Sequence, residues 1–277
     1  MLDIKKTIRR DFDVAMPGTA FFWRDPALPH VESRRACHSR ACYKQHSHPT
    51  FSIGAVDAGG SMFTGSKDGK VTLGDGSLVL VPAGCVHACN PLPDAFWSYQ
   101  MLHLDAQWLQ AHAPALDGDT ATVLHCPRLY AQFCAMNALL FSSAGAAEKD
   151  AALLAFLGAC ADSRADLLPS QRKPLPLQLA PVLETLQARP SASLRQLAQA
   201  AGLSPYQLIR AFRAATGMTP HAYQLNMHVN RARSRLQAGT ALAQLAHELG
   251  FADQSHLQRV FKAHAGITPG RYRGQGS

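Results

Sequence analysis

The chain has 277 residues, with 27 Lys and Arg against 19 Asp and Glu, a formal net charge of +8 and 47% hydrophobic residues. That length allows about two domains, and the apolar content excludes a disordered or fibrous chain. The longest apolar run, 151–161, lies between Asp150 and Asp162 and is too short to cross a bilayer, so no membrane span is expected.

At the start, Lys5, Lys6, Arg9 and Arg10 precede no apolar segment. No secretory signal is therefore expected, and the reading is a protein of the reducing cytoplasm. The seven cysteines, an odd number all before residue 161, fit that compartment as small buried hydrophobes. A thiol sensor or soft-metal site near Cys37, Cys42, Cys85 and Cys89 is the alternative.

Between Cys42 and Asp105 the pattern predicts strands at 51–56, 71–73, 78–81 and 96–104, separated by turns at Gly59-Gly60 and Gly74-Asp75-Gly76. Several short strands at this spacing predict a barrel or sandwich. Two-residue spacing places His46 and His48 on one strand face, where His87 can approach them. Three neutral imidazoles suit a zinc-type ion with open positions, an organic ligand, or one another. On the last strand, alternation groups Trp97, Tyr99, Met101 and His103 as one wall of the same cavity or as ordinary barrel core.

The run from Gly76 through Pro82, Gly84 and His87 to Asn90, preceded by His46 and His48, resembles the two cupin motifs. In metal-binding cupins an acid joins the three histidines, and at Ser52 and Ile53, where it would fall, this chain has none. An organic effector touching His46, His48, His87, Trp97, Tyr99 and His103 is therefore the expectation, with no cofactor. A divalent metal on His46, His48 and His87 remains the alternative.

Residues 128–164 return to helical spacing, with Leu129, Phe133, Met136 and Leu140 on one face and Leu153, Leu154 and Leu157 on another. Packing on the chain's own barrel and pairing with a second copy are both open for these faces. The Pro-containing stretch 167–176 reads as a linker.

The remainder contains one pattern twice. Gln196, Leu197, Ala198 and Gly202 recur 48 positions later as Gln244, Leu245, Ala246 and Gly250. Leu208, Arg210, Phe212, Gly217, Thr219 and Pro220 then recur 49 positions later, so the second copy carries one extra residue at its central turn. Each copy, about 193–217 and 241–266, reads as helix, turn, helix. Ser193 with Gln196 and Ser204 with Gln207 form capping boxes, and Pro205 opens the second helix. An apolar seam of Leu203, Leu208 and Phe212 leaves Tyr206, Gln207, Ile209, Arg210 and Arg213 outward. The equivalent face in the second copy carries Ser255, Gln258, Arg259 and Lys262. Residues 219–238, with no Gly or Pro after Pro220, predict one continuous helix, and its Arg231, Arg233 and Arg235 are candidate phosphate contacts or a solvated face. From Leu175 onward there are 11 Lys and Arg against 3 Asp and Glu, whereas 1–174 hold 16 of each, so the whole excess lies on the repeat. Clustered cations on two helix-turn-helix units are the footprint of a DNA binder.

The repeat resembles the DNA-binding domain of the AraC/XylS family of bacterial transcription regulators. The resemblance rests on Gly250, Phe251, Arg259, Phe261, Lys262, Gly266, Thr268, Pro269, Tyr272 and Arg273, and His256 with Leu257 departs from the family's usual residues there. It implies two helix-turn-helix subdomains on a long central helix, behind a cupin effector domain whose trailing helices form a homodimer. The expected fold class is thus α+β, with an effector domain at 1–127, a helical dimerisation segment at 128–166, a linker at 167–176 and a DNA-binding domain at 177–277. Expected partners are operator DNA, a small-molecule effector and RNA polymerase, the protein acting as an activator and not as an enzyme. The alternative is a metal-dependent cupin enzyme that carries a DNA-binding module.

Overall fold

The computed structural model describes residues 18–66, 69–164 and 174–274. The N-terminal basic residues and most of the expected linker lie outside them. The described chain forms two compact units, one holding 18–42 and 48–164, the other holding Tyr43–Ser47 with 174–274.

The first unit is a cupin-like pair of antiparallel sheets followed by helices. Its strands are β1 (Ala20–Arg24), β2 (Val31–Ser39), β3 (Phe51–Gly59), β4 (Ser61–Ser66), β5 (Gly69–Leu73), β6 (Leu78–Val81), β7 (Ala88–Pro91), β8 (Trp97–Leu104) and β9 (Thr122–Leu124). They form a six-stranded sheet in the order β1-β2-β8-β3-β6-β9 and a three-stranded sheet in the order β5-β4-β7. The helices are α1 (Ala106–His112), α2 (Pro127–Leu140) and α3 (Ala146–Arg164).

Strand structure begins well before Cys42. β1 and β2 escape the sequence pattern because Arg24, Glu32, Arg34 and Arg35 interrupt their apolar alternation. β4 and β7, rich in Ser, Thr, Gly, Ala and Asn, carry too few branched or aromatic residues to signal a strand.

Alternation on β8 divides the large sheet into two faces. Ile53, Leu80, Leu102 and Leu104 pack with Leu129, Phe133, Met136 and Leu140 of α2 and Leu153, Phe156 and Leu157 of α3. The apolar stripes of both helices are thus covered by the chain's own sheet. Leu154, which the sequence grouped with them, stays exposed on α3. A chain of polar contacts crosses this core: Ser33 donates to Asn137, Asn137 to Gln100, and Gln100 to Asp57, whose Oδ1 also accepts from the Tyr130 hydroxyl.

The second unit contains α4 (Ala180–Ala188), α5 (Leu194–Ala200), α6 (Pro205–Thr216), α7 (Pro220–Gln237), α8 (Leu242–Glu248), α9 (Gln254–Ala265) and α10 (Pro269–Gly274). Leu179, Val182, Leu186, Leu197, Leu208 and Phe212 form the core of its first half. In its second half Leu245, Leu257, Phe261, Ile267 and Tyr272 are buried, and the Phe261 and Tyr272 rings meet edge to face at 5.5 Å. Within this unit Tyr43–Ser47 is fixed by side chains of α7: Asn226 bonds the backbone of Ser47 through both ends of its amide, and Asn230 donates to the Ser47 carbonyl at 2.9 Å.

Candidate functional site

Two helix-turn-helix units are present, and local sequence accounts for their start and stop points. Ser193 and Ser204 each accept from the N3 backbone while Gln196 and Gln207 return the bond, giving both capping boxes. Gly217 closes α6 and Gly266 closes α9 in left-handed conformations, with φ of +80° and +72°. The turn of the first unit runs from 201 to 204 and that of the second from 249 to 253, so the extra residue sits in the turn. There Asp253 replaces the serine N-cap and accepts from His256 N. His256 packs edge-on against Phe251 at 5.3 Å, so the departure from the family pattern acts on turn packing.

The second helix of each unit buries Leu208 with Phe212, or Leu257 with Phe261, and leaves a polar face outward. On α6 Tyr206, Gln207, Arg210 and Arg213 are exposed and Ile209 is partly covered. Tyr206 is 69% exposed, and the Arg210 guanidinium lies 5.8 Å from its ring centre, which holds the cation out along the helix. Gln207 has its side-chain carbonyl committed to the cap, so its amide nitrogen is what it has left to offer. On α9 Ser255, Arg259 and Lys262 are exposed and Gln258 is half-buried. These faces are cationic, with donors suited to base edges and phosphates.

The two units are joined by α7, N-capped by Thr219 and unbroken over 18 residues, or ~27 Å at ~1.5 Å per residue. That length approaches the ~34 Å between major grooves on one face of DNA. Two of its arginines have intramolecular work. Arg235 pairs with Glu248 at 2.8 Å and binds α7 to α8, and Arg231 donates to the Gln187 carbonyl.

His48 of the first unit and His46, in the Tyr43–Ser47 segment of the second, are both buried and lie outside any strand, so the expectation of a shared strand face fails. Pro49 follows directly and the chain does not enter β3 until Phe51. Within the first unit His48 and His87 nevertheless meet, their ring centres 5.0 Å apart. Nδ1 of His46 faces the Lys44 carbonyl at 2.7 Å and Nδ1 of His87 faces the Cys85 carbonyl at 2.9 Å. A carbonyl only accepts, so in both rings Nδ1 carries a proton.

The other predicted residues of this site share one face of β8. His103 lies 5.1 Å from His48, ring centre to ring centre, and its Nδ1 meets the Ser52 hydroxyl at 2.8 Å. Ser52, one of the two positions without the expected acid, thus supports an imidazole. Trp97 and Tyr99 stack on each other at 4.1 Å toward the other end of the strand. Arg34, which the sequence reading missed with its whole strand, is 8% exposed, with its guanidinium 5.6 Å from the Tyr99 ring centre. With Glu32, Arg34 and Arg35 spread over both faces of β2, no apolar alternation in the sequence marks it.

The cysteines behave as small apolar groups. Burial raises the thiols of Cys37 and Cys134 to about 11 and those of Cys89 and Cys160 to about 12. Cys42 alone is exposed.

Comparison with known proteins places these features together. Residues 28–157 match the AraC-like ligand binding domain, and residues 197–275 match a helix-turn-helix domain. The uncharacterized HTH-type transcriptional regulator YbfI of Bacillus subtilis is 24% identical over 242 residues, covering 84% of this chain and 87% of that one. The bifunctional transcriptional activator/DNA repair enzyme Ada of Escherichia coli is 33% identical over 88 residues, only 25% of its length. Among solved structures, ToxT from Vibrio cholerae O395 shares the fold at a TM-score of 0.56 and 12% identity, over 93% of this chain and 97% of that one. A second ToxT structure, at a TM-score of 0.56 and 12% identity, has an unsaturated fatty acid bound.

Proposed function

The chain belongs to the AraC/XylS family of transcription regulators, with a helix-turn-helix DNA-binding domain and a ligand-binding domain, and we propose that it activates transcription when a small organic effector fills its cupin-like domain. The observation that carries this reading is the pair of outward cationic helices, α6 and α9, held at the two ends of α7. Arg210 and Arg259 make the strongest DNA contacts, with Tyr206, Gln207, Ile209, Arg213, Ser255, Gln258 and Lys262 around them. His46, His48, His87, Trp97, Tyr99 and His103 line the effector site.

The proteins it resembles are named as regulators, one of them as a DNA repair enzyme too, and we take this one as a regulator and not an enzyme, working in the cytoplasm with RNA polymerase. It acts as a homodimer through α3, where Ala147, Ala151, Leu154, Ala155 and Gly158 form an exposed stripe of small apolar residues that a second copy can approach closely. The domain limits of 1–127, 128–166, 167–176 and 177–277 belong to the same reading.

A thermal-shift screen of small metabolites on the full chain, followed by operator binding with and without each hit, tests it. A hit that changes DNA affinity supports the reading, and metabolite binding with no effect on DNA overturns it.

A further inference from the structure

One stretch of the second unit comes from far away in sequence. Tyr43–Ser47 follows β2 and precedes β3, yet it packs as part of the second unit. On α7 the buried Asn226 accepts from Ser47 N at 3.2 Å and donates to Ser47 Oγ at 3.0 Å, while Asn230 donates to the Ser47 carbonyl at 2.9 Å. At the other end Lys44 N donates to the Ala263 carbonyl of α9 at 3.0 Å. The Tyr43 ring lies where a Cβ on Gly266 would have to stand, so only glycine at this position lets the ring rest on the end of α9. Between these anchors Nδ1 of His46 turns back on the Lys44 carbonyl at 2.7 Å, which folds the segment on itself.

The place where this segment meets α9 decides what it does. Arg259, Lys262, Ala263 and Gly266 follow i, i+3, i+4, i+7 spacing and so share one face of the helix. The first two carry the charge offered to DNA, and the last two are the anchors of Lys44 and Tyr43. A recognition helix meets base edges mainly through its N-terminal part, with the sugar-phosphate backbone running alongside. Tyr43 and Lys44 cover the C-terminal stretch of that same face, where the backbone has to pass.

Resting on the reading of α9 as a DNA-facing helix, we propose that Tyr43–Ser47 is an autoinhibitory strap. Docked, it masks the C-terminal half of the α9 face, and DNA gains the full contact with Arg259 and Lys262 once the strap leaves. Strap and duplex compete for one face, so each lowers the other's occupancy by the same factor. Release is within reach of a ligand, because each hydrogen bond that holds the strap is exchanged for one to water. The next residue, His48, belongs to the first unit, where its ring centre lies 5.0 Å from that of His87 and 5.1 Å from that of His103. A molecule that shifts His48 there acts on the strap through one peptide bond.

The test uses the full chain without added metabolites, and as probe the duplex that the natural protein enriches from a random-sequence library. Tyr43→Ala, which clears Gly266, and Asn230→Ala, which removes a bond to Ser47, should each bind this duplex at least threefold tighter than the natural protein. Arg259→Ala should cost more affinity in the Tyr43→Ala background than alone, because the strap no longer covers part of its face. Hydrogen exchange on the natural protein reads the same competition directly: the Lys44 amide should exchange at least tenfold faster when the duplex is bound. That measurement decides even if both variants fail to fold. Variants that bind the duplex no tighter than the natural protein, or a Lys44 amide that stays protected on DNA, overturn the strap and leave the DNA-binding reading standing. Failure of the natural protein and of every variant to enrich any duplex removes both.

Discussion

The Tyr130 hydroxyl donates to Asp57 Oδ1 at 2.8 Å, joining α2 to the end of β3 across the core of the first unit. Gln100 donates to the same oxygen at 2.7 Å, while Oδ2 is out of solvent without a partner among the described residues. Burial is the largest influence on this carboxyl and raises it to about 6, against the opposing bonds from Gln100 and Tyr130.

A raised folded-state value means that the folded protein holds this proton more tightly than the unfolded chain. The resulting stability is complete below about pH 4 and is lost as pH climbs through about 6. Asp57→Asn should flatten this window and raise stability near pH 7 by up to ~3 kcal/mol, less whatever the unpaired amide costs. Denaturant melts of both proteins from pH 4.5 to 7.5 measure it, and parallel pH profiles would remove Asp57 as the source.

Arg259→Ala and Arg210→Ala should each weaken operator binding. A guanine contact loses ~1–3 kcal/mol at one base position, whereas a phosphate contact weakens all sequences alike and lowers the salt slope by about one unit. Gel-shift titrations on point-changed operators at several salt concentrations separate the two. Unchanged affinity in both variants would mean that α6 and α9 do not face DNA.

The first helix of the second helix-turn-helix unit starts without a side-chain cap, because Ala241 stands where Ser193 stands in the first. Ala241→Ser should stabilise the domain by ~0.5–1 kcal/mol. A denaturation midpoint that stays put or falls would show that the backbone there does not present N–H groups to the new hydroxyl.

His87→Gln should leave salt-dependent DNA affinity of the effector-free protein nearly intact and abolish the transcriptional response to the effector. Elemental analysis of the freshly purified protein belongs beside it. Stoichiometric zinc, iron or nickel that disappears with His87 would make the histidine trio a metal site.

Sedimentation of the full chain checks the homodimer, and Leu154→Glu should favour the monomer. A dimer indifferent to Leu154 would place the interface away from α3.

The helical half of the protein was legible because its signals are local. A capping box spans four residues, a left-handed glycine marks its own turn, and the duplication cross-checks each assignment. Even the extra residue of the second unit could be assigned to its turn. The barrel was harder because its pairs are distant: Arg34 faces Met101 across 67 positions, and no window over β2 contains its partner. His46, His48 and His87 were singled out by residue type, and the strand face assigned to the first two was wrong because Pro49 follows them outside the sheet. The polar chain from Ser33 to Tyr130 left no trace in sequence, since each member alone reads as surface.

The continuity of α7 constrains how relatives of this protein diverge. Each residue added to a helix turns everything beyond it by ~100° and advances it ~1.5 Å. A single insertion between Thr219 and Ala238 would swing Arg259 more than a quarter-turn, by ~100°, relative to Arg210. If both helices read DNA at once, a change in the length of α7 breaks their register, so the spacing of the two half-sites is set by this one helix.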